Sequence, residues 1–481
     1  MSDALELARR ALAAARGDAL ATVTHERSTM LRFARSRPTQ ATSIDDLTVE
    51  IAVLRGGHVG RAATNRVDDE ALADTARTAT LAAEAAAASA GEGHYPGFPT
   101  PAPPRAHEGF DGETAQLDPA VGGEALRAAF DAGERAASTS AGEGDDGLPR
   151  TAEVAASSPS PVEIGGIWTA GDVETAIASS TGVELSDRVT DAFMKTIATA
   201  PNGRTGYTAQ SATAAGALDP AALATRATAK ATHPGEPATL VPGEYTVVLE
   251  PHAVLDLLWV LAETAFDGLA HVEGRGALSG KLGLRVVAPA INLSDSPRFP
   301  GTLPRAFDAE GVPKAPLPLI QDGVAHRVVH DTRSAAIAGG ATDTTGHALV
   351  AGGQAAGPRP TNLVLTGGGA ADEDEICAPV ERGIYITRLW YANVLRPTDS
   401  LFTAVTRDGT FLIEDGQITR PLEDMRITDS ALSILSHVQA LGARSVLTCD
   451  GELYGRRFAT GSVCPPLRAD GVRFTSSATQ A

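Results

Sequence analysis

The sequence predicts an α+β protein: an N-terminal mixed α/β domain with an antiparallel sheet and flanking helices, then a large, mostly antiparallel β domain. Three observations lead to this prediction. Helical and alternating apolar patterns fill the first half, a proline- and glycine-rich stretch interrupts them, and many short β-prone runs fill the second half. Because the chain has 481 residues, more than the roughly 250–300 that one core usually reaches, several domains are expected.

The first residues carry the pattern of a helix followed by a sheet. Leu5, Ala8 and Leu12 recur at helical spacing, so residues 3–16 should form an amphipathic helix that ends at Gly17. Alternating apolar residues then predict short strands at 19–25, 29–33, 47–55 and 59–65. A small antiparallel sheet is therefore expected next to this helix.

Glycine and proline mark the turns and the connector of the first half. The pair Gly56-Gly57 supplies the positive φ that a tight hairpin needs. Asp68 or Asp69 can cap an alanine-rich helix that runs to about residue 88. Residues 91–113 are dense in proline and glycine, which hold the backbone extended, and we interpret them as a connector.

A second unit of helices and strands follows the connector. Its predicted elements are a helix near 118–138, strands at 174–179 and 184–190, and a helix from Asp219-Pro220 to about His233-Pro234. From Pro242-Gly243 onward short strands dominate, apart from one helix at about 252–266. We therefore expect an N-terminal domain at 1–90, the connector at 91–113, a central region at 114–235 and a C-terminal β-rich domain at 236–481.

Composition limits the classes of function. The net charge of -19 opposes a phosphate backbone, so nucleic-acid binding is not expected. No apolar run is long enough to cross a bilayer, and the first residues lack the pattern of a signal peptide, so we expect a cytoplasmic protein without a membrane partner. The three cysteines, Cys377, Cys449 and Cys464, are too few and too scattered for a disulfide framework or a four-thiolate zinc site.

Several phrases of the second half occur in a known family. They are LVPGEYTVVLEPHAVLDLL (240–258), SGKLGLRVV (279–287), LSDSP (293–297), FDAEGVP (307–313), LIQDGVAHRVVHDTRSA (319–335), PTNLVLTGG (360–368), GIYITRLWYANVLRPTDSLFTAVTRDGTFLIEDGQI (383–418) and PPLRADGVRFTS (465–476). In number, order and spacing they resemble the TldD/PmbA family of metallopeptidase-related proteins. The first half agrees more loosely, through its sheet, its hairpin and its alanine-rich helix.

The resemblance is to the TldE/PmbA branch of that family. In the TldD branch the helix after the strand at 245–249 carries a His-Glu-x-x-x-His sequence, which places two zinc ligands about one helical turn apart. Here the helix reads HAVLDLLWVLAETAFDG and offers no histidine pair. We expect four side chains of this helix to pack in the core: Leu255, Leu258, Trp259 and Leu261. The prediction is therefore no metal and no catalytic residue in this chain.

Other candidate ligands and nucleophiles are weighed against structural roles. Cys449 falls near the place where the TldD branch takes a zinc-ligating cysteine, but without histidines we expect a small buried residue. Cys464 could be a nucleophile, and a buried structural thiol is the favoured interpretation. His326 and His330 form an H-x-x-x-H sequence, which we interpret as part of a strand, where residues four apart lie about 13 Å from each other.

One region combines aromatic, basic and turn residues in a β-rich context. Its members are Arg388, Trp390, Tyr391, Thr406, Arg407, Asp408 and Gly409. We interpret them as a peptide- or partner-binding surface that could take an extended chain by strand addition. An aromatic core pair next to an Asp-Gly turn remains an equally good interpretation of the same residues.

The resemblance implies a function for the chain. It would be the subunit without zinc in a cytoplasmic TldD/TldE-type complex for proteolysis or peptide maturation, joined to a zinc-bearing TldD-like chain as a heterodimer or to itself as a homodimer. Peptides or unfolded protein would be the substrate. We expect the association surface within 236–481. The alternative is a stand-alone hydrolase or peptide-binding protein on the same scaffold, with a thiol chemistry of Cys449 or Cys464.

Overall fold

The computed structural model describes residues 3–89, 91–142, 162–340, 342–370, 372–449 and 455–477. The α-helices of this part are α1 (Asp3–Ala14), α2 (Asp69–Ser89), α3 (Pro119–Gly142), α4 (Pro220–Ala231), α5 (Pro251–Thr264), α6 (Gly268–Val272), α7 (Thr332–Ile337), α8 (Glu373–Cys377) and α9 (Ala431–Ser436). Short 3-10 turns lie at Thr114–Gln116, Ala215–Ala217 and Pro397–Asp399. The mixture of helices and antiparallel sheets confirms the predicted α+β class.

The strands divide into three sheets. They are β1 (Ala19–Ala34), β2 (Arg37–Arg55), β3 (His58–Thr64), β4 (Glu163–Ser179), β5 (Glu184–Thr199), β6 (Thr205–Ala212), β7 (Gly243–Leu249), β8 (Leu293–Asp295), β9 (Leu317–Gln321), β10 (Val324–Ala325), β11 (Leu363–Leu365), β12 (Arg382–Arg396), β13 (Leu401–Glu414), β14 (Gln417–Pro421), β15 (Met425–Ser430), β16 (Val438–Leu441), β17 (Val446–Thr448), β18 (Ser462–Cys464) and β19 (Leu467–Ser477).

The first sheet is antiparallel throughout and has the order β3-β2-β1-β4-β5-β6, so strands from both sides of the connector form one surface. Apolar side chains on one of its faces pack against helices α1 to α4; Val23 and Trp168 are among them. The opposite face carries polar side chains, including Glu26 and Asp191, and receives segments of the second half of the chain. The sheet therefore joins the two halves of the molecule.

The strand prediction for 19–33 is wrong in one respect. Two separate runs were expected, but β1 is one continuous strand of 16 residues. Of the polar residues that separate the runs in sequence, Glu26 and Ser28 are buried, and Ser28 Oγ donates to Glu26 Oε1 at 2.8 Å. This part of the strand faces a polar interface between the halves of the chain. Its residues therefore lack the alternating apolar pattern by which a strand is predicted. The hairpin prediction is confirmed, because Gly56 and Gly57 have φ of 55° and 74° between β2 and β3.

The C-terminal half contains two further sheets. One is a ring in which β12, β7, β19, β15 and β13 pair in turn and β13 returns to β12, with β14 and β16 attached. The other has the order β10-β9-β8-β11-β18-β17. Helix α5 lies in the largest apolar core, which it shares with both of these sheets. The predicted β-rich C-terminal region is confirmed.

The prediction of a strand at 326–330 is wrong. Strand β10 ends at Ala325, and beyond it only a single bridge joins Val329 to Asp267. The chain leaves the sheet here because the His330 backbone N–H donates to Thr345 Oγ1 at 2.7 Å instead of to a strand. His326 is exposed whereas His330 is buried.

Candidate functional site

A cavity of about 630 Å³ lies between the first sheet and the C-terminal half, within the size range of ligand sites in proteins. Its wall is formed by strand β6, helix α5, strand β12, the start of β11 with the residues before it, and residues between β17 and the start of β18. The lining residues are Tyr207, His252, Leu255, Asp256, Trp259, Ala262, Pro360, Thr361, Leu363, Arg388, Leu389, Trp390, Tyr391, Ala392, Cys449, Thr460, Gly461 and Ser462.

Helix α5 presents one face to the core and another to this cavity. It begins at Pro251, directly after Glu250, and buries Leu258 and Leu261 completely. Leu255 and Trp259 line the cavity instead, and Trp259 is 44% exposed. The prediction that these two side chains pack in the core is therefore wrong. A helix that borders a cavity has an apolar stripe wider than its buried face, which the sequence pattern cannot distinguish from a core helix.

Arg388 lines the cavity and forms an ion pair with Asp408. Its Nε donates to Asp408 Oδ2 at 2.8 Å and its Nη2 donates to the same oxygen, while Thr205 Oγ1 donates to Asp408 Oδ1 at 2.6 Å. The guanidinium lies 4.4 Å from the ring centre of Tyr207 and 4.8 Å from that of Trp390. The ion pair therefore fixes two aromatic rings of the wall.

The predicted site residues fall into two groups. Arg388, Trp390 and Tyr391 line the cavity, and the Trp390 and Tyr391 rings meet edge to face at 5.2 Å. The others, on β13, lie outside the lining. Thr406, Asp408 and Gly409 are buried, and Arg407 is exposed with its guanidinium 5.5 Å from the Trp390 ring centre. Thr406 Oγ1 accepts the Met425 N–H at 3.0 Å, which gives it a structural role.

His252, at the start of α5, is a neutral group in the wall. Burial, followed by the positive charges of Lys230 and Arg388, lowers its pKa to about 3. Its ring packs edge to face on Tyr207 at 5.2 Å. Sequence reasoning missed the contribution of Tyr207, because β6 lies far from the cavity residues along the chain.

The two cysteines considered as nucleophiles lie in different surroundings. Cys449 is buried, lines the cavity and has its Sγ 2.8 Å from Ser211 Oγ of β6. Cys464 lies outside the lining, is fully buried, and its Sγ is 3.4 Å from the Pro251 carbonyl oxygen. Burial raises the pKa of Cys464 to about 12, so it carries little thiolate at neutral pH.

The cavity face of α5 does not fit the ligand set of a zinc peptidase. Zinc is held by His, Cys and carboxylate donors with short bonds, and the residues that α5 presents to the cavity include one histidine, His252, and one carboxylate, Asp256, beside Leu255, Trp259 and Ala262. Within the described ranges no group of three or more His, Cys, Asp and Glu side chains is arranged to hold a metal ion. The same part of the chain contains no helix long and apolar enough to cross a membrane.

Strand β12 brings an open backbone edge to the cavity. It pairs with β7 only over residues 383–386, while its other edge pairs with β13 as far as Arg396. Beyond Ile386 the edge toward α5 has no strand partner in the described part of the chain. Asp256 Oδ2 accepts the Leu389 N–H at 3.2 Å on this side. Backbone groups at such an edge can pair with an added extended segment.

The fold and the site define a class of protein, namely an α+β protein with two β-rich units and an aromatic-lined cavity between them. Within this class, the chain belongs to the TldD/PmbA family. The matching models are PmbA/TldA metallopeptidase domain 1 at residues 21–87, the central domain at 144–233 and the C-terminal domain at 242–476.

Individual relatives agree with this assignment. TldE from Thermococcus kodakarensis has a similar fold, with a TM-score of 0.81, 19% identity and coverage of 98% of this chain and 99% of that one. A metalloprotease of Methanothermobacter thermautotrophicus is 24% identical over 42% of this chain and 43% of its own length. A metalloprotease TldD homolog of Haemophilus influenzae is 26% identical over 40% of each chain. The matched region thus spans about two fifths of these two metalloproteases.

Proposed function

We propose that this chain is the TldE/PmbA-like subunit of a cytoplasmic TldD/TldE-type metallopeptidase complex, and that a TldD-like partner holds the zinc. The observation that carries the proposal is the cavity face of α5, where His252 is the single histidine and the other lining residues are Leu255, Asp256, Trp259 and Ala262. A thiolate at Cys449 alone does not complete a zinc site. The chain's role is then to form part of the substrate chamber.

The cavity supports a role in holding the substrate. Peptides and unfolded protein segments are extended chains, and the edge of β12 beyond Leu389, whose own N–H is donated to Asp256, offers them backbone pairing. The rings of Trp259, Trp390 and Tyr391 offer apolar surface next to that edge. We propose that the complex acts in proteolysis or peptide maturation. In it, this chain forms a heterodimer with the TldD-like partner, and without the partner it forms a homodimer.

The first prediction concerns zinc. The chain, purified alone without chelators, should contain far less than one zinc ion per molecule, because its cavity lacks a histidine pair. Elemental analysis by mass spectrometry gives the metal content, and a TldD-like chain purified in parallel is the positive control. Stoichiometric zinc that is lost in Cys449→Ala would contradict the proposal.

The second prediction concerns activity. The chain alone should not cleave an unfolded protein such as casein, and activity should appear when a TldD-like chain from the same organism is added. The TldD-like chain without this one is the matched control, measured with the same fluorescent substrate. Cleavage by this chain alone, or equal cleavage by the partner with and without it, would overturn the proposed role.

A thiol-dependent hydrolase is the second candidate function. The position of Cys449 in the cavity wall, 2.8 Å from Ser211 Oγ, is the observation in its favour. Cys464 does not support it, because its thiol is buried away from the cavity. If Cys449→Ala abolished cleavage by the chain alone while Cys464→Ala left it unchanged, this candidate would replace the first.

A further inference from the structure

The charged groups around the cavity are already engaged with one another. Arg388 is held by Asp408, and Lys230 Nζ donates to Glu250 Oε2 at 2.8 Å. Asp256 accepts a backbone N–H of β12. An anionic ligand group that entered would find both of these cations, Arg388 and Lys230, already paired, and burial of an unpaired charge is costly.

The aromatic rings of the wall also disfavour a cation. The guanidinium groups of Arg388 and Arg407 lie 4.8 and 5.5 Å from the ring centre of Trp390, and that of Arg388 lies 4.4 Å from the ring centre of Tyr207. Because cations already lie against these two rings, a further positive charge near them would be repelled. An anion, in turn, would meet the carboxylate of Asp256 across the same cavity.

The cavity wall exposes a large area of apolar side chains. Trp259 and Tyr391 are 44% and 71% exposed, a large fraction for such side chains in a wall that also includes Leu255 and Leu363. Removing such surface from water provides about 25 cal/mol per Å². The open edge of β12 lies beside it, so an extended backbone could pair there while one of its side chains enters the cavity.

We propose that this cavity is a specificity pocket for an uncharged aromatic or large aliphatic side chain of an extended peptide, with Trp259 and Trp390 as the residues that determine specificity. The inference rests on the proposed function and adds the class of substrate. The pocket should reject lysine and glutamate at the same peptide position.

The tryptophans provide the measurement. The chain has three, and Trp168 is buried in the core of the first sheet, away from the cavity. Capped pentapeptides Ala-Ala-X-Ala-Ala, with X as Phe, Leu, Ala, Lys or Glu, are titrated into the full-length chain while tryptophan emission is recorded. Peptides with Phe and Leu should shift the emission and bind at least about tenfold more tightly than those with Lys and Glu.

Variants assign the effect to the cavity. Trp390→Ala and Trp259→Ala should each weaken binding of the Phe peptide by about tenfold, and Trp390→Phe should restore most of it. Trp168→Phe should leave both the affinity and the emission shift unchanged. Circular dichroism identifies any variant that fails to fold, and isothermal titration calorimetry with Trp390→Phe then measures affinity without depending on emission from this residue.

The outcomes separate this inference from the proposed function. Equal affinity for all five peptides, or tighter binding of the Lys or Glu peptide, overturns the inference even if the chain still activates a TldD-like partner. The chain could also bind the Phe and Leu peptides selectively but activate no TldD-like partner. That result would support the specificity pocket and contradict the proposed role as a subunit. Loss of binding in Trp168→Phe, with an unchanged dichroism spectrum, would place the peptide elsewhere and also overturn the inference.

Discussion

Replacing Arg457 with alanine is expected to lower the free energy of unfolding by about 3–5 kcal/mol, the usual cost of removing one partner of a buried ion pair. Arg457 is 2% exposed, and its Nε and Nη2 donate to the two oxygens of Asp191 at 2.7 and 2.6 Å. Its backbone N–H donates to Glu26 Oε2 at 2.7 Å. Without the guanidinium, Asp191 would remain buried without its ion-pair partner.

Urea denaturation followed by circular dichroism measures this effect. Arg456→Ala is the matched control, because Arg456 is the exposed neighbour in sequence and should change stability by less than about 0.5 kcal/mol. Arg457→Lys should fall between the two, because an ammonium cannot make the two-pronged bond to Asp191. A loss below about 1 kcal/mol in Arg457→Ala would contradict the expected cost of a buried charge.

Gly171 gives an independent test of the same contact. A Cβ on Gly171 would lie 2.1 Å from Arg457 Nε, so Gly171→Ala should be destabilising on its own. In the Arg457→Ala background the added methyl group has room, and its cost should largely disappear. A double-mutant cycle therefore expects a strong coupling between the two positions. Additive effects would mean that Arg457 does not occupy this space in solution.

The segment that Arg457 anchors to the first sheet also contributes to the candidate site. Thr460, Gly461 and Ser462, which follow Arg457, line the cavity. Arg305 lies 3.6 Å from the Phe458 ring centre and donates to the Ala459 carbonyl at 3.1 Å. The first sheet thus positions a wall of the cavity that belongs to the C-terminal half. This arrangement links the stability of the interface between the two halves to the shape of the proposed peptide pocket.

Local sequence signals predicted the elements that depend on local interactions. The Gly56-Gly57 hairpin is where expected, and the Asp219-Pro220 helix start is confirmed by the Ala222 N–H bond to Asp219 Oδ1 at 3.0 Å. In α5, sequence reasoning placed the helix but assigned Trp259 to the core. Whether an apolar residue faces core or cavity depends on partners such as Tyr207 and Arg388, which are distant in sequence.

Buried polar contacts between distant segments were beyond sequence reasoning. Glu26 and Arg457 are 431 residues apart, and nothing in the sequence around either residue indicates that the two meet. The same holds for Arg388, which sequence reasoning named as a ligand-binding candidate but whose guanidinium is committed to Asp408. Residue type predicted that these groups need partners, whereas only the fold determines which partners they have.

Glu310 should make the protein less stable as the pH rises from about 4.5 to about 8. Burial, then the nearby charge of Asp308, raises the pKa of its carboxyl from 4.5 to about 8, despite hydrogen bonds from Thr332 and Gly352. Between these values the unfolded chain releases the proton and the folded chain keeps it. The folded state therefore binds more protons, and its relative stability falls across this window.

The variant Glu310→Gln isolates this effect, because glutamine has the same shape and does not titrate. Any packing cost of the amide is independent of pH, whereas the penalty on wild-type Glu310 grows with pH. The unfolding free energy of the variant minus that of the wild type should thus increase between pH 5 and pH 8, by an amount on the order of a few kcal/mol. Glu273→Gln, with a side chain 45% exposed, serves as the control and should show little change in this difference.

Urea titrations at pH 5, 6.5 and 8 provide the unfolding free energies of the wild type and of both variants. A difference for Glu310→Gln that stays constant or decreases with pH would show that the carboxyl is ionised in the folded protein.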